Sequence, residues 1–166
     1  KMKCESVVFD RDYLGVLTTH GLACFQMAAK EAYGIEPTHV KLRTHNGQVK
    51  YNRRVGKTSK LSTHAVGRAL DIIHVDLYRG LKKVKKVALY KNSSSSEGRY
   101  YESFVECWHK VVKIAHEVGV GGSGGDGEIG YTRTYSKAGK VRSRGHSHVS
   151  LPPRNGFRKL FGISGT

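Results

Sequence analysis

Ser62-Thr63-His64-Ala65-Val66-Gly67-Arg68-Ala69-Leu70-Asp71-Ile72-Ile73-His74-Val75 is the stretch whose reading decides this chain. Its second half is β-rich: Ile72, Ile73 and Val75 are side chains that suit a strand. Its first half carries His64, and on a straight strand His64 and Asp71 would stand roughly 23 Å apart, too far to share one ion. The chain must therefore bend between them, and Gly67 supplies the permissive backbone for a bend. Asp71 then rides on the strand that follows, anchored in the core by Ile72 and Ile73.

Far downstream lies a second pair, His146-Ser147-His148. Spacing of i, i+2 places both side chains on one face of a strand. Either element alone says little, because a lone histidine is ordinarily a hydrogen-bonded residue and His-x-His pairs arise by chance. Together they change the reading. Two histidines and one carboxylate can hold a zinc ion and leave its fourth position open, whereas structural zinc sites usually close all four with protein ligands. On this reading one histidine of the downstream pair ligates and the other faces water or substrate. His20, His39, His45, His74, His109 and His116 belong to no such constellation and are expected to be surface or core residues.

The rest of the chain frames this site. With 166 residues it is long enough for one domain with a real core, read here as a single unit over 1–166. Hydrophobic residues make up 38% and charged residues 25%, which fits a globular chain and not a disordered one. No apolar run approaches the roughly 20 residues of a membrane span, so no transmembrane segment is expected. The net charge is +16, from 29 Lys plus Arg against 13 Asp plus Glu. Such a charge attracts polyanions: nucleic acid, anionic lipid or an anionic cell wall. Basic residues recur along the chain, with a cluster at Lys82-Lys83-Val84-Lys85-Lys86, as on a generally basic surface. No helix-turn-helix, zinc-finger or aromatic ribonucleoprotein motif accompanies them, so a stable nucleic-acid partner is not favoured. Cys4, Cys24 and Cys107 match no zinc ribbon or redox motif. Cys24 and Cys107 fall in predicted amphipathic helices, where a buried thiol is the commoner outcome. One disulfide with one free thiol remains open for an exported protein.

Local patterns predict a helix over 18–33 with Gly34 as its C-cap, and a strand over 38–43. An Asn46-Gly47 turn would return a partner strand over 48–55. Strands are also expected over 69–75, 86–90, 128–135 and 145–151, with a flexible loop over 92–98. The strongest helix spans 100–118, with Phe104, Trp108, Val111, Val112 and Ala115 on one face. The Gly-rich run at 121–127 lacks any phosphate-binding fingerprint and reads as a loop. Helices bracketing a small antiparallel sheet give an α+β fold, with one zinc site at the sheet.

Ser62-x-His64-x-x-Gly67-x-Ala69-x-Asp71 resembles the first zinc motif of D-alanyl-D-alanine carboxypeptidase-like metallopeptidases. With Tyr51-Asn52-Arg53-Arg54 ahead of it, the stretch looks closest to the extensin-like C-terminal branch, and His146-Ser147-His148-Val149 resembles that group's terminal histidine motif. The order of helices extends the likeness loosely over most of the chain. The resemblance implies zinc ligation by His64, Asp71 and His148, hydrolysis of peptide bonds in bacterial peptidoglycan, and a periplasmic or secreted protein whose signal segment is not visible here. It implies that Arg53 or Arg54 engages substrate, clamping a carboxylate or polarising the scissile carbonyl. Ser62 would bind substrate or simply shape the turn. One departure stands out. The family commonly places Asp or Glu three residues before the last histidine ligand as general base, and this chain has Gly145 there. His146 can fill the role, as the first histidine of H-x-H does in the related lysostaphin-like peptidases; Glu128 or Asp126 can approach instead. Endopeptidase action is favoured over carboxypeptidase action, with peptidoglycan and anionic wall polymer as partners. A non-catalytic, zinc-containing wall-binding module is the alternative, and a nucleic-acid-binding protein the third reading.

Overall fold

The structure is a computed structural model that describes residues 9–44, 63–90, 96–122, 128–131, 134–135, 141–143 and 145–154. Asp10 opens the first helix by accepting a hydrogen bond from the Tyr13 backbone N–H at 3.0 Å. Helix α1, Arg11–Val16, runs through one π-helical turn, Leu17–Gly21, into α2, Leu22–Tyr33. The predicted helix over 18–33 is thus the C-terminal part of a longer helical stretch that begins at Arg11. Gly34 ends it in the left-handed region at φ 64°, as expected of a C-cap. The second long helix, α3, covers Ser96–Glu117. A disulfide between Cys24 and Cys107 joins α2 to α3 in place of the expected buried thiols. Phe25 stacks on Phe104 at 4.3 Å between ring centroids, and Trp108 lies fully buried beside them.

These helices cover one face of an antiparallel sheet, giving the α+β fold that the sequence pattern predicts. Its strands are β1 (His39–Thr44), β2 (Ala69–Arg79), β3 (Lys82–Ala88), β4 (Glu128–Tyr131) and β7 (His146–Ser150). The order is β1-β2-β7-β4, with β3 also paired to β2. Two short strands, β5 (Thr134–Tyr135) and β6 (Val141–Ser143), pair separately. The predicted partner strand over 48–55 lies outside the described residues; β1 pairs with β2. Strand β2 is the spine. Its far half takes β1 and β3, and its first residues, Ala69 to Ile72, take β7. No described helix is long and apolar enough to cross a membrane.

The two faces of β2 are sorted by an irregularity. Leu70 and Ile72 are buried in the core, and so are Val75 and Leu77, although strict alternation would put the second pair on the opposite face. The register against β1 slips where Arg43 meets His74 and Thr44 meets Ile72, leaving Ile73 as an extra residue. A bulge of this kind resets the alternation. It keeps four apolar side chains in the core and leaves Asp71, His74 and Asp76 on the other face.

Because the disulfide closes a separation of 83 residues between α2 and α3, the Cys24→Ala/Cys107→Ala protein should lose about 2–4 kcal/mol of stability. Urea denaturation of the oxidised wild type and the variant measures this; equal midpoints would show that helix packing alone sets the stability.

Candidate metal site

The bend between His64 and Asp71 is a specific turn. Thr63–Val66 forms one 3-10 turn, and Gly67 follows with φ 70°. The Arg68 N–H donates to Thr63 O at 3.0 Å and the Gly67 N–H to His64 O at 3.1 Å. This pair of bonds is the Schellman closure, which requires a left-handed residue where Gly67 stands. The chain then enters β2, so that His64 is carried back over Asp71. From the other side, the register of β2 with β7 sets Asp71 directly opposite His148. On β7, Ser147 and Val149 are buried in the core, and His146 and His148 face away from it.

Three side-chain atoms converge as a result. His64 Nε2 is 3.1 Å from Asp71 Oδ1, His148 Nδ1 is 3.1 Å from the same oxygen, and the two nitrogens are 3.1 Å from each other. Ligands around a tetrahedral zinc with bonds of about 2.0–2.1 Å stand roughly 3.3 Å apart, within a few tenths of an ångström of this spacing. Hydrogen bonding alone accounts poorly for the triangle. If both nitrogens donate to Asp71, two N–H groups are held against each other across its third edge. A cation among three lone pairs accounts for all three edges. His64, Asp71 and His148 thus form a group that can hold a metal ion. Their side chains are 15%, 24% and 18% exposed, open enough for a small molecule to reach.

The surroundings suit this role. Burial alone would push the Asp71 carboxyl up, but hydrogen bonds from His148 and His64, with the histidines' charge, outweigh it and hold the carboxyl well below the usual range. Asp71 is therefore an anion throughout the neutral range. His148 uses its other nitrogen, Nε2, in a hydrogen bond with Thr63 Oγ1 at 3.1 Å. That bond fixes the ring's orientation and favours Nδ1 as the ligating atom.

Of the other expected site residues, Arg53, Arg54, Ser62 and Asp126 lie outside the described residues. His146 is half-buried and stands two positions from His148 on the same face, about 6–7 Å along the strand. Its ring is not among the groups that converge on Asp71, which are His64 and His148. Glu128 begins β4, where its register partner is Val149, while Ile129 is the residue opposite His148. Gly145 has a physical explanation. A Cβ there would lie 2.7 Å from Cγ and Cδ1 of Tyr90, so the Tyr90 ring fills the space of any side chain at 145. The sequence reading missed three residues: Thr63, Arg68, which is buried beneath the site, and Tyr90. Only Arg68 carried a signal, as a cation within an otherwise small and apolar run.

Comparison of the chain with family models, curated proteins and solved structures returned no match.

If the triad holds a divalent metal, substituting His64, Asp71 or His148 by Ala should abolish its stoichiometric binding, while Thr63→Val should weaken it about 10–100-fold with the fold intact. Competition against a chromophoric chelator measures both effects; unchanged affinity in Thr63→Val would remove that hydroxyl from the site. Gly145→Ala should destabilise the protein by about 1–3 kcal/mol through the Tyr90 contact. Tyr90→Ala should relieve that penalty in the double variant, read from paired thermal melts.

Proposed function

We propose that this protein is a zinc-dependent hydrolase that cleaves peptide bonds in bacterial peptidoglycan, as an endopeptidase more than a carboxypeptidase. The observation that carries the reading is the triangle of His64 Nε2, Asp71 Oδ1 and His148 Nδ1, with edges of 3.1 Å, on the face of the sheet turned away from the core. Three protein ligands are the usual complement of a catalytic zinc, which keeps a position for water or substrate. When bound, zinc supplies Lewis acidity that polarises a carbonyl and acidifies water. The chain supplies the rest. Asp71 contributes one negative charge and the two histidines none, so the site keeps a net positive charge when loaded and favours an oxyanion beside it. His146 stands two positions before His148 on β7, and in this reading it accepts a proton and returns it to the leaving amine. Resemblance of the His64–Asp71 and His146–His148 motifs to the wall peptidases supplies the substrate class.

Two further observations support the setting. The Cys24–Cys107 disulfide suits an oxidising compartment, in keeping with a periplasmic or secreted enzyme. A net charge of +16 suits residence on an anionic wall. The alternative, a zinc-containing wall-binding module without turnover, is favoured by one feature: the Tyr90 ring occupies the place of an acidic base at Gly145.

Zinc-loaded protein incubated with purified peptidoglycan should release fragments identifiable by mass spectrometry, with one new amine per cut. His146→Gln should keep its zinc and lose turnover by about 100-fold or more. Normal turnover in His146→Gln together with its loss in Glu128→Gln would move the base to Glu128. Absence of any fragment from zinc-loaded wild type would leave the binding module as the better account.

A further inference from the structure

The face of the sheet that bears the metal triad does not end there. Beyond Asp71, β2 presents His74, Asp76 and Tyr78 on the same face. The register sets Lys41 of β1 and Lys86 of β3 opposite Asp76, one on each side. It sets Arg43 opposite His74 and Lys83 opposite Tyr78. Lys41, Arg43, Lys83 and Lys86 are all exposed. Val40, Leu42 and Val87, the neighbours of these cations on β1 and β3, pack towards the core, which confirms the sorting.

Few charges on this stretch offset the cations. Asp76 Oδ1 is buried and has no hydrogen-bond partner among the described residues; His74 Nε2 and Lys83 Nζ both stop 3.9 Å away. Lys41 is turned onto the ring of Tyr78, 5.0 Å from its centroid, and is not paired with Asp76. His74 reports the resulting field. Burial and then the charge of Lys86 push its imidazole pKa down, with Arg43 and Lys83 adding to the effect against the pull of Asp76. His74 is therefore a neutral, hydrogen-bonding side chain between rows of cations.

We propose that this part of the sheet, through Lys41, Arg43 and Lys86, binds the carboxylate-bearing peptide of an extended anionic polymer and leads it to the His64–Asp71–His148 site. The inference rests on the peptidoglycan reading for the identity of that polymer, and it adds the surface that selects it. Arg43 pairs at His74, and Lys41 and Lys86 at Asp76, so these cations stand about 10 to 17 Å from Asp71 along β2, a reach of roughly three to five residues of extended peptide from the site. Carboxylates spaced along such a chain meet the flanking rows of Lys and Arg, and Asp76 between them discourages an anion from settling on the midline. A substrate too short to span from metal to cations gains nothing from this surface. The docking surface thus favours polymer over small peptides through binding and not through the chemical step.

The test uses the full chain and three probes: purified sacculi stripped of covalently attached polymers, the same sacculi with their peptide carboxylates amidated, and a short duplex DNA. A Lys41→Glu/Arg43→Glu/Lys86→Glu protein should keep wild-type zinc content, circular dichroism and turnover of a short uncharged peptide. Its binding to untreated sacculi in a pelleting assay should fall by roughly tenfold or more. Wild type should bind amidated sacculi as weakly as the variant binds untreated ones, and the variant should lose nothing further on amidation. The matched Gln substitutions should fall between the two proteins. Undiminished binding of the variant to untreated sacculi overturns the proposal. So does duplex DNA held by the same three residues at least as tightly as sacculi at equal salt. Binding that depends on these cations in a protein that releases no fragment supports the surface while rejecting the hydrolase.

Discussion

One buried guanidinium holds the molecule in register. Arg68 is 3% exposed, and its head group reaches four points distant in sequence. Nη1 donates to Asp10 Oδ1 at 2.7 Å and Nε to Leu151 O at 3.0 Å. Nη2 donates to Val120 O at 2.6 Å and to Pro152 O at 3.4 Å. A buried cation is tolerated only with a counter-charge and hydrogen-bond partners, and Arg68 has both, Asp10 as the charge and three carbonyls as acceptors. Its own backbone is used as well: its N–H closes the turn on Thr63 O, and its C=O accepts from the Leu151 N–H. The start of α1, the end of α3 and the exit of β7 therefore meet at a residue four positions after His64 and three before Asp71. Asp10 completes the joint by capping α1 while its N–H donates to Gly67 O at 3.0 Å. Tyr13, one turn into that helix, donates its hydroxyl to Val149 O at 2.7 Å, beside His148. Burial of its phenol raises its pKa far out of the working range, so this tether does not ionise.

The joint fixes where β2 begins, and the bulge at Ile73 fixes how it continues. A regular strand with the same sequence would have to expose either the Leu70–Ile72 pair or the Val75–Leu77 pair. Each is worth several kcal/mol of apolar burial, so the extra residue is the lower-energy solution. Its consequence is chemical. The face away from the helices receives Asp71 before the bulge and His74 and Asp76 after it. One side of the sheet is thereby a core, and the other carries every ionisable group that the proposed chemistry and the proposed docking require.

Much of this was legible in the sequence. Gly67 announced the turn, because a left-handed position between His64 and Asp71 is what allows seven residues of separation to close to 3.1 Å. The i, i+2 spacing of His146 and His148 announced a shared strand face, and the apolar spacing of α3 announced Phe104, Trp108, Val112 and Ala115 as buried. What was not legible depends on contacts between distant segments. Thr63 reaches His148 only because the turn and β7 are brought together, and no local pattern marks a threonine for that. The Tyr90–Gly145 contact joins the end of β3 to the start of β7, a meeting set by both strands sharing one edge of β2. The bulge was hidden because Ile72-Ile73 reads as one continuous apolar run. The cluster at Lys82–Lys86 looked like a general basic surface; pairing along β3 splits it, with Lys85 turned onto the Tyr33 ring and Lys83 and Lys86 on the metal face.

The spacing of the three ligand atoms follows from backbone placement together with a few side-chain bonds, among them Thr63 Oγ1 to His148 Nε2. His64 is placed by a Schellman closure, His148 by its register across from Asp71, and both are secured through the contacts of Arg68 and Tyr13. None of these bonds uses a metal. In small zinc modules the energy of binding is largely the energy of folding. Here the sheet, the helices and the core already supply the fold, so a metal held by the triad would not be needed to build it. Rigid placement on strands and a closed turn also holds the triad to the tolerance that such sites demand. The same rigidity explains the place of Tyr90. With the space at Gly145 filled by a ring, the proposed hydrolysis would need its proton carrier elsewhere, and His146 is a described candidate on the ligands' own face.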